Sequence, residues 1–197
     1  MPLRLATILF FFVASLFAQQ SKPQTVFGLE EPVTRPVPVP DRVLQLVRQD
    51  ALFKQEIESL NDTGSDFTKD WFVASEIDFG CRRGLIVIGQ GPLVGANVGP
   101  FWIFVADNNG SYGKPLAVLA LGVQVRPSRG KSCREIWASS ATAATVSTTT
   151  FRLKDTELVR HRSWTESTGN SSRSWHPDTG QINQSSARSA SRHWTAK

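Results

Sequence analysis

Residues 84–104 read GLIVIGQGPLVGANVGPFWIF, two apolar runs flanking a stretch with glycines at 89, 91, 95 and 99. The stretch is either a phosphate-cradling loop or a turn between strands, and the choice decides the fold class. Dinucleotide-binding loops need G-x-G-x-x-G opening a helix, so that amide N–H groups and the helix dipole meet the pyrophosphate. Here the third glycine is out of place, Pro92 and Pro100 interrupt the run, and an aromatic strand-like segment follows. A Walker loop needs Gly-Lys-Ser/Thr, and no lysine lies between Gly84 and Phe104. No nucleotide cofactor is expected. The stretch reads as two strands joined by a wide loop whose glycines serve positive φ or close backbone approach.

The same strand pattern recurs on both sides. Short segments rich in β-branched and aromatic residues fall at 67–77, 84–89, 100–106, 115–121, 122–127, 133–139, 145–153 and 157–161. Glycine, proline and asparagine punctuate them, with turn signals at Asn109-Gly110 and Lys154-Asp155. Long helices are absent from this region, which argues against parallel βαβ units and for an antiparallel meander. Upstream, DRVLQLVRQDALFKQEIESLND carries apolar residues at Val43, Leu46, Val47, Ala51 and Ile57 on one face. Asp41 is placed to cap this amphipathic helix, Asp50 to break it, and Gly64 to end it. The expected class is α+β, mainly β: one domain over 41–164, its N-terminal helix packed on a curved antiparallel sheet of about seven or eight strands.

The ends differ in kind. Arg4 precedes an apolar stretch from Leu5 to Ala18, the pattern of a signal peptide over 1–18. As a membrane span it is short, since crossing takes about 20 apolar residues. Residues 19–40 close on PVPVP and read as an extended connector. Residues 165–197, dominated by Ser, Thr, Gly, Asn and Arg, lack the aliphatics to offset ordering entropy and read as a disordered tail. An exported protein, periplasmic or extracellular, is expected, with no membrane span after cleavage. Its net charge of +5 is too small and scattered to argue for nucleic acid. Cys81 and Cys133 are the only cysteines, and in an oxidising compartment such a pair closes a disulfide, worth roughly 3–4 kcal/mol in the loop-entropy model. Free thiols or a nucleophile are the alternatives. A nucleophile needs a nearby base, and the histidines are His161, His176 and His193.

Catalytic and metal motifs are missing. Asp107-x-Asn109-x-Ser111-x-Gly113 alternates oxygen ligands, yet it has one carboxylate and no downstream bidentate glutamate, so it reads as a turn, not a calcium site. There is no HExxH, no Cys/His zinc spacing and no G-x-S-x-G elbow. Glu76, Asp78 and Glu135 are the carboxylates from which a cell-wall or glycan hydrolase would have to draw an acid/base pair. Three tripeptides, Arg162-Ser163-Trp164, Arg173-Ser174-Trp175 and Arg192-His193-Trp194, suit a polyanion through charge and stacking.

The run W-F-V-A-S-E-I (71–77) and the segment 83–104, with Gly89-Gln90-Gly91-Pro92, Gly95-Ala96 and Phe101-Trp102, resemble a family of small exported bacterial proteins of unassigned activity. Arg126–Ile136 and Thr150–Val159 extend the likeness over roughly residues 33–164. A weaker likeness is to integrin-type propeller repeats, but Asp78-Phe79-Gly80-Cys81 stands where their DxDxDG calcium loop would be. The resemblance implies export and fold, not a reaction.

Strand geometry bears on the site. Neighbours in a strand point to opposite faces, so Phe101 and Trp102 cannot enter the same core. Either the sheet is covered on both sides, by helix 41–60 or the proline segment, or one aromatic faces outward beside the glycine loop. The second case defines the expected partner-binding set: Gly91, Gly95, Asn97, Phe101 and Trp102. The expected function is a non-catalytic, inhibitor-like binding module for an envelope protein or cell-wall component, without cofactor or metal.

Overall fold

The computed structural model describes residues 23–61, 68–130, 133–167 and 170–176. The signal-like stretch 1–18, the helix stop at Gly64 and the tail from 177 onward, including Arg192-His193-Trp194, lie outside these residues. These residues are mainly β, with two α-helices among them: β1 (Val26–Gly28), α1 (Asp41–Gln49), α2 (Ala51–Asn61), β2 (Phe72–Asp78), β3 (Arg83–Gly89), β4 (Gly99–Val105), β5 (Leu116–Ala120), β6 (Gly122–Arg126), β7 (Glu135–Ala141), β8 (Thr145–Lys154), β9 (Glu157–Ser167) and β10 (Asn170–His176).

The class expected from sequence holds, but the strands divide over two antiparallel sheets rather than one. One has the order β2-β3-β4-β5 and the other β1-β6-β7-β8-β9-β10. The split follows from the apolar pattern of β3 and β4. Ile86, Ile88, Phe101, Ile103 and Val105 pack against Val123, Val125, Ile136 and Phe151 of the six-stranded sheet. Their neighbours Leu85, Val87, Trp102 and Phe104 pack on the opposite face with Val43, Leu44, Val47 and Phe53 of the helices. Three layers result: helices, four-stranded sheet, six-stranded sheet. A strand buried on both faces reads as a continuous apolar run, as 84–89 and 100–106 do.

Asp50 organises the helical layer. Its extended backbone ends α1, and its Oδ1 accepts the Leu52 N–H (3.0 Å) at the start of α2 and the Trp102 indole N–H (3.2 Å). The expectation that Asp41 caps α1 is corrected: Pro40 holds the N-cap position without a side-chain bond, and Asp41 instead pairs with Lys69 at 2.7 Å. The proline segment lies along the sheet as an extended strap, Val37 donating its N–H to Ala74 O (2.9 Å) on the edge strand β2.

Two further differences concern the ends. β1 lies inside the segment expected to be plain connector and pairs with β6. The stretch from 165 is not all outside the fold, since β9 runs to Ser167 and β10 pairs with it antiparallel, placing Trp175 opposite Trp164. Composition without aliphatics hid this because a backbone ladder needs no apolar side chain to form. Turn signals at Asn109-Gly110 and Lys154-Asp155 are confirmed, with Gly110 at φ 77° and Asp155 at φ 58°. Cys81, in the β2–β3 turn, is bonded to Cys133 before β7, 52 residues away, and links the two sheets. Beside the link, Arg134 N donates to Phe79 O (2.7 Å).

Candidate functional site

The loop between β3 and β4 is anchored at its start and exposed at its tip. Gln90 N bonds Trp71 O at 2.7 Å, and a short 3-10 turn over Gly91–Leu93 drives Leu93 into the helix-side core. Gly91 has φ +56°, a conformation that glycine adopts without the steric penalty of a Cβ. At Gly89 an added Cβ would stand 2.6 Å from Pro100 Cγ, so glycine is what lets the two ends of the loop close on each other. Gly95 N bonds Val98 O at 2.8 Å, which leaves Ala96 and Asn97 exposed at the tip.

The expected site set is only partly brought together. Gly91, Gly95 and Asn97 share this exposed loop, whereas Phe101 and Trp102 are each 0 % exposed. The aromatics are corrected to core residues. Phe101 fills the space between the sheets, and Trp102 sits under the helices, edge-on to Phe72 (5.8 Å) and Phe53 (6.2 Å). The reason is coverage of β4 on both faces, the other of the two outcomes that strand alternation allowed.

Beside the loop lies a groove of about 400 Å³, the lower part of the range typical of ligand sites. Gly89, Gly91 and Val94 border it on the loop side, and Val73 and Ile88 lie on the sheet side. The opposite wall is the lobe that follows β1, through Leu29, Glu31 and Val33. Glu31, Leu29, Val33 and Val94 were missed from sequence. The available signal was Leu29-Glu30-Glu31, an apolar residue and two acids interrupting a proline-rich segment.

The carboxylates considered for acid/base chemistry are divided between sheets. Glu76 and Asp78 belong to the helix-facing side of β2, alternating with Ile77 in the inter-sheet core. Asp78 accepts the Gly80 N–H at 2.7 Å and lies 3.9 Å from Arg134. Glu135 is on the outward face of β7, 7 % exposed. Its oxygens accept from Ser128 Oγ (2.7 Å), Arg152 Nε (2.5 Å) and Trp137 Nε1 (3.3 Å). Burial pushes the Glu135 carboxyl up, but these bonds and the Arg152 charge outweigh it and hold the group below the ordinary range. Such a carboxylate is an ionised acceptor with three donors on it, not a free acid. Asp107 likewise spends Oδ1 on the N–H groups of Asn109 and Ser111 (both 2.8 Å), as a turn does.

Arg162-Ser163-Trp164 belongs to β9, where Trp164 meets Trp137 edge-to-face at 5.1 Å. Among the described residues, no group of three or more His, Cys, Asp or Glu is arranged to hold a metal, and no helix is long and apolar enough to cross a membrane. No family model, curated protein or solved structure matches this chain.

Proposed function

We propose that this chain is an exported, non-catalytic binding module that engages an envelope protein or cell-wall component at the groove beside the 90–98 loop. The observation that supports this reading is the combination of an open groove of about 400 Å³ with an exposed loop anchored at its start and closed on itself by the Gly95–Val98 bond. A rigid frame keeps such a loop in one shape, which lowers the ordering cost of binding. The signal-like N-terminus and the Cys81–Cys133 disulfide, which is compatible with an oxidising compartment, support export.

The test is crosslinked capture from an envelope extract, wild type against Val94→Asp and Asn97→Ala, read by mass spectrometry. Val94 is 36 % exposed and Asn97 is exposed, so both variants should keep the wild-type melting temperature. Loss of a specific partner with Val94→Asp, and weakened capture with Asn97→Ala, would support the site. Equal capture by all three proteins would sink it.

A further inference from the structure

The groove has a charge character opposite to that of the chain. The sequence holds 22 Lys and Arg against 17 Asp and Glu, yet among the described residues the only ionisable side chain in the groove lining is Glu31. Among the described residues the Glu31 carboxylate has no ion pair and no hydrogen bond. Its stem passes beside Gly28, where an added Cβ would stand 3.4 Å from Glu31 Cγ, and the lobe that carries it is itself held in place.

The wall that carries Glu31 is clasped rather than loose. Gln24 reaches across the lobe and bonds both of its ends. Its Nε2 donates to Val26 O (2.8 Å) and, more weakly, to Pro32 O (3.5 Å), while its Oε1 accepts from Thr34 N (2.9 Å) and Thr34 Oγ1 (3.0 Å). Leu29 N adds a bond to Leu121 O at 3.2 Å, tying the lobe to the end of β5. A surface loop of this length needs no such clasp to connect β1 to α1. Here it sets one carboxylate and two aliphatic side chains, Leu29 and Val33, opposite Val73 and Ile88.

Resting on the groove reading above, we infer that the ligand is a short peptide segment in which a lysine or arginine is flanked by aliphatic residues. The exposed parts of Leu29, Val33, Val73 and Val94 contact the flanking side chains, the polar backbone of the lining meets the ligand backbone, and Glu31 takes the cation in a charge-assisted hydrogen bond. Gly91, with open space where a Cβ would stand, admits a ligand backbone close to its own. An anionic ligand finds no Lys, Arg or His in the lining. The volume holds two or three side chains, so the recognition unit is a segment and not a folded surface.

The experiment uses the full chain, isotope-labelled, with the Gly89 and Gly91 amides followed by NMR. It is titrated with acetyl-Val-Lys-Val-amide, with analogues carrying norleucine or glutamate at the centre, and with n-butylammonium. The expected order is lysine, then norleucine, then glutamate. Glu31→Gln should weaken the lysine peptide about two- to five-fold, the range for an exposed ion pair, and leave the norleucine peptide unchanged. Raising salt should do the same to wild type. A lysine preference that survives Glu31→Gln, or glutamate binding as well as lysine, would overturn the assignment of Glu31. Butylammonium binding as tightly as the lysine peptide would overturn the peptide class. If no probe moves these amides while Val94→Asp still abolishes partner capture, the peptide class falls and the groove stands. If capture is also indifferent to Val94, the groove reading itself falls.

Discussion

In the four-stranded sheet Trp102 is 0 % exposed and packed among Phe53, Phe72 and the Asp50 carboxylate, whereas in the six-stranded sheet Trp137 lies half-buried on an outward face. Around Trp137 stand Arg126, its guanidinium 4.3 Å from the ring centroid, Trp164 and Glu135. The first sheet is covered on both faces and draws its stability from burial. Among the described residues the second is covered on one face only, and closes the other with its own polar and aromatic side chains. Ser139–Thr148 (3.1 Å) bonds across that outward face. On the opposite side of the β8–β9 hairpin, Ser147–Thr165 (2.8 Å) and Thr149–Ser163 (3.1 Å) do the same work. The contrast teaches that one molecule can hold sheets together by two different means, and each can be broken separately.

The largest effect is expected at the covered sheet. Trp102→Ala removes a fully buried indole and the second of the two N–H donors to Asp50, so a loss of about 3–5 kcal/mol is expected from urea unfolding. A loss below about 1 kcal/mol, within the range of ordinary surface changes, would mean that the helical layer is not packed on β4 as described. Next is the link between the sheets. Replacing both Cys81 and Cys133 with serine should cost about 3–4 kcal/mol, mostly by freeing the unfolded chain. If the unfolding midpoint barely moved, the apolar layer between the sheets would be sufficient to dock them.

Much of the covered sheet was legible in advance. The continuous apolar runs at 84–89 and 100–106 carry both of its faces, and the alternation of Phe101 with Trp102 required that either a cover or an exposed ring exist. Which of the two holds depends on where α1 and α2 dock, and that is a long-range fact that no local pattern in β4 contains. The split into two sheets was hidden for the same reason, because a meander of short strands has the same local signature whether or not it folds over. β1 was hidden differently: three residues before a proline-rich stretch carry no usable period. Of the candidate site, the loop glycines and Asn97 were legible because glycine spacing is a local signal. Glu31 and its wall were not, since they reach the loop only through the Gln24 clasp and the pairing of β1 with β6.

A direct counterpart to the Trp102 test lies on the other sheet. Trp137→Ala removes an aromatic pair and a cation–π contact at a half-buried position, so a cost of about 1–2 kcal/mol is expected, smaller than that of Trp102→Ala. Equal costs for the two would erase the distinction between the sheets.

The smallest effect is the most specific, because it carries a pH signature that burial alone cannot produce. Glu135 is held below its ordinary range by three donors and the Arg152 charge, despite burial acting the other way. A carboxyl depressed in the folded state adds stability above its unfolded value of about 4.3, and that stability is lost as pH falls through the lower folded value. Glu135→Gln should therefore cost about 1 kcal/mol at pH 7, a figure kept small because the Arg152 side chain is 38 % exposed. The cost should shrink toward zero in acid, below about pH 4, as the wild-type carboxyl takes up its proton. His161 titrates in a separate window. It is held below its ordinary value first by burial, then by the charges of Arg152 and Arg162. Stability should therefore also fall in both proteins as pH drops below about 6.5. Glu135 acts on His161 as well, its charge opposing the depression, so the difference between wild type and Glu135→Gln includes a His161 contribution below about pH 6.5. The carboxylate's own signature is the change read below about pH 4. A difference that stays flat from pH 7 to pH 3 would mean that Glu135 acts on the outward face by packing, and that the six-stranded sheet, like its partner, is held by burial.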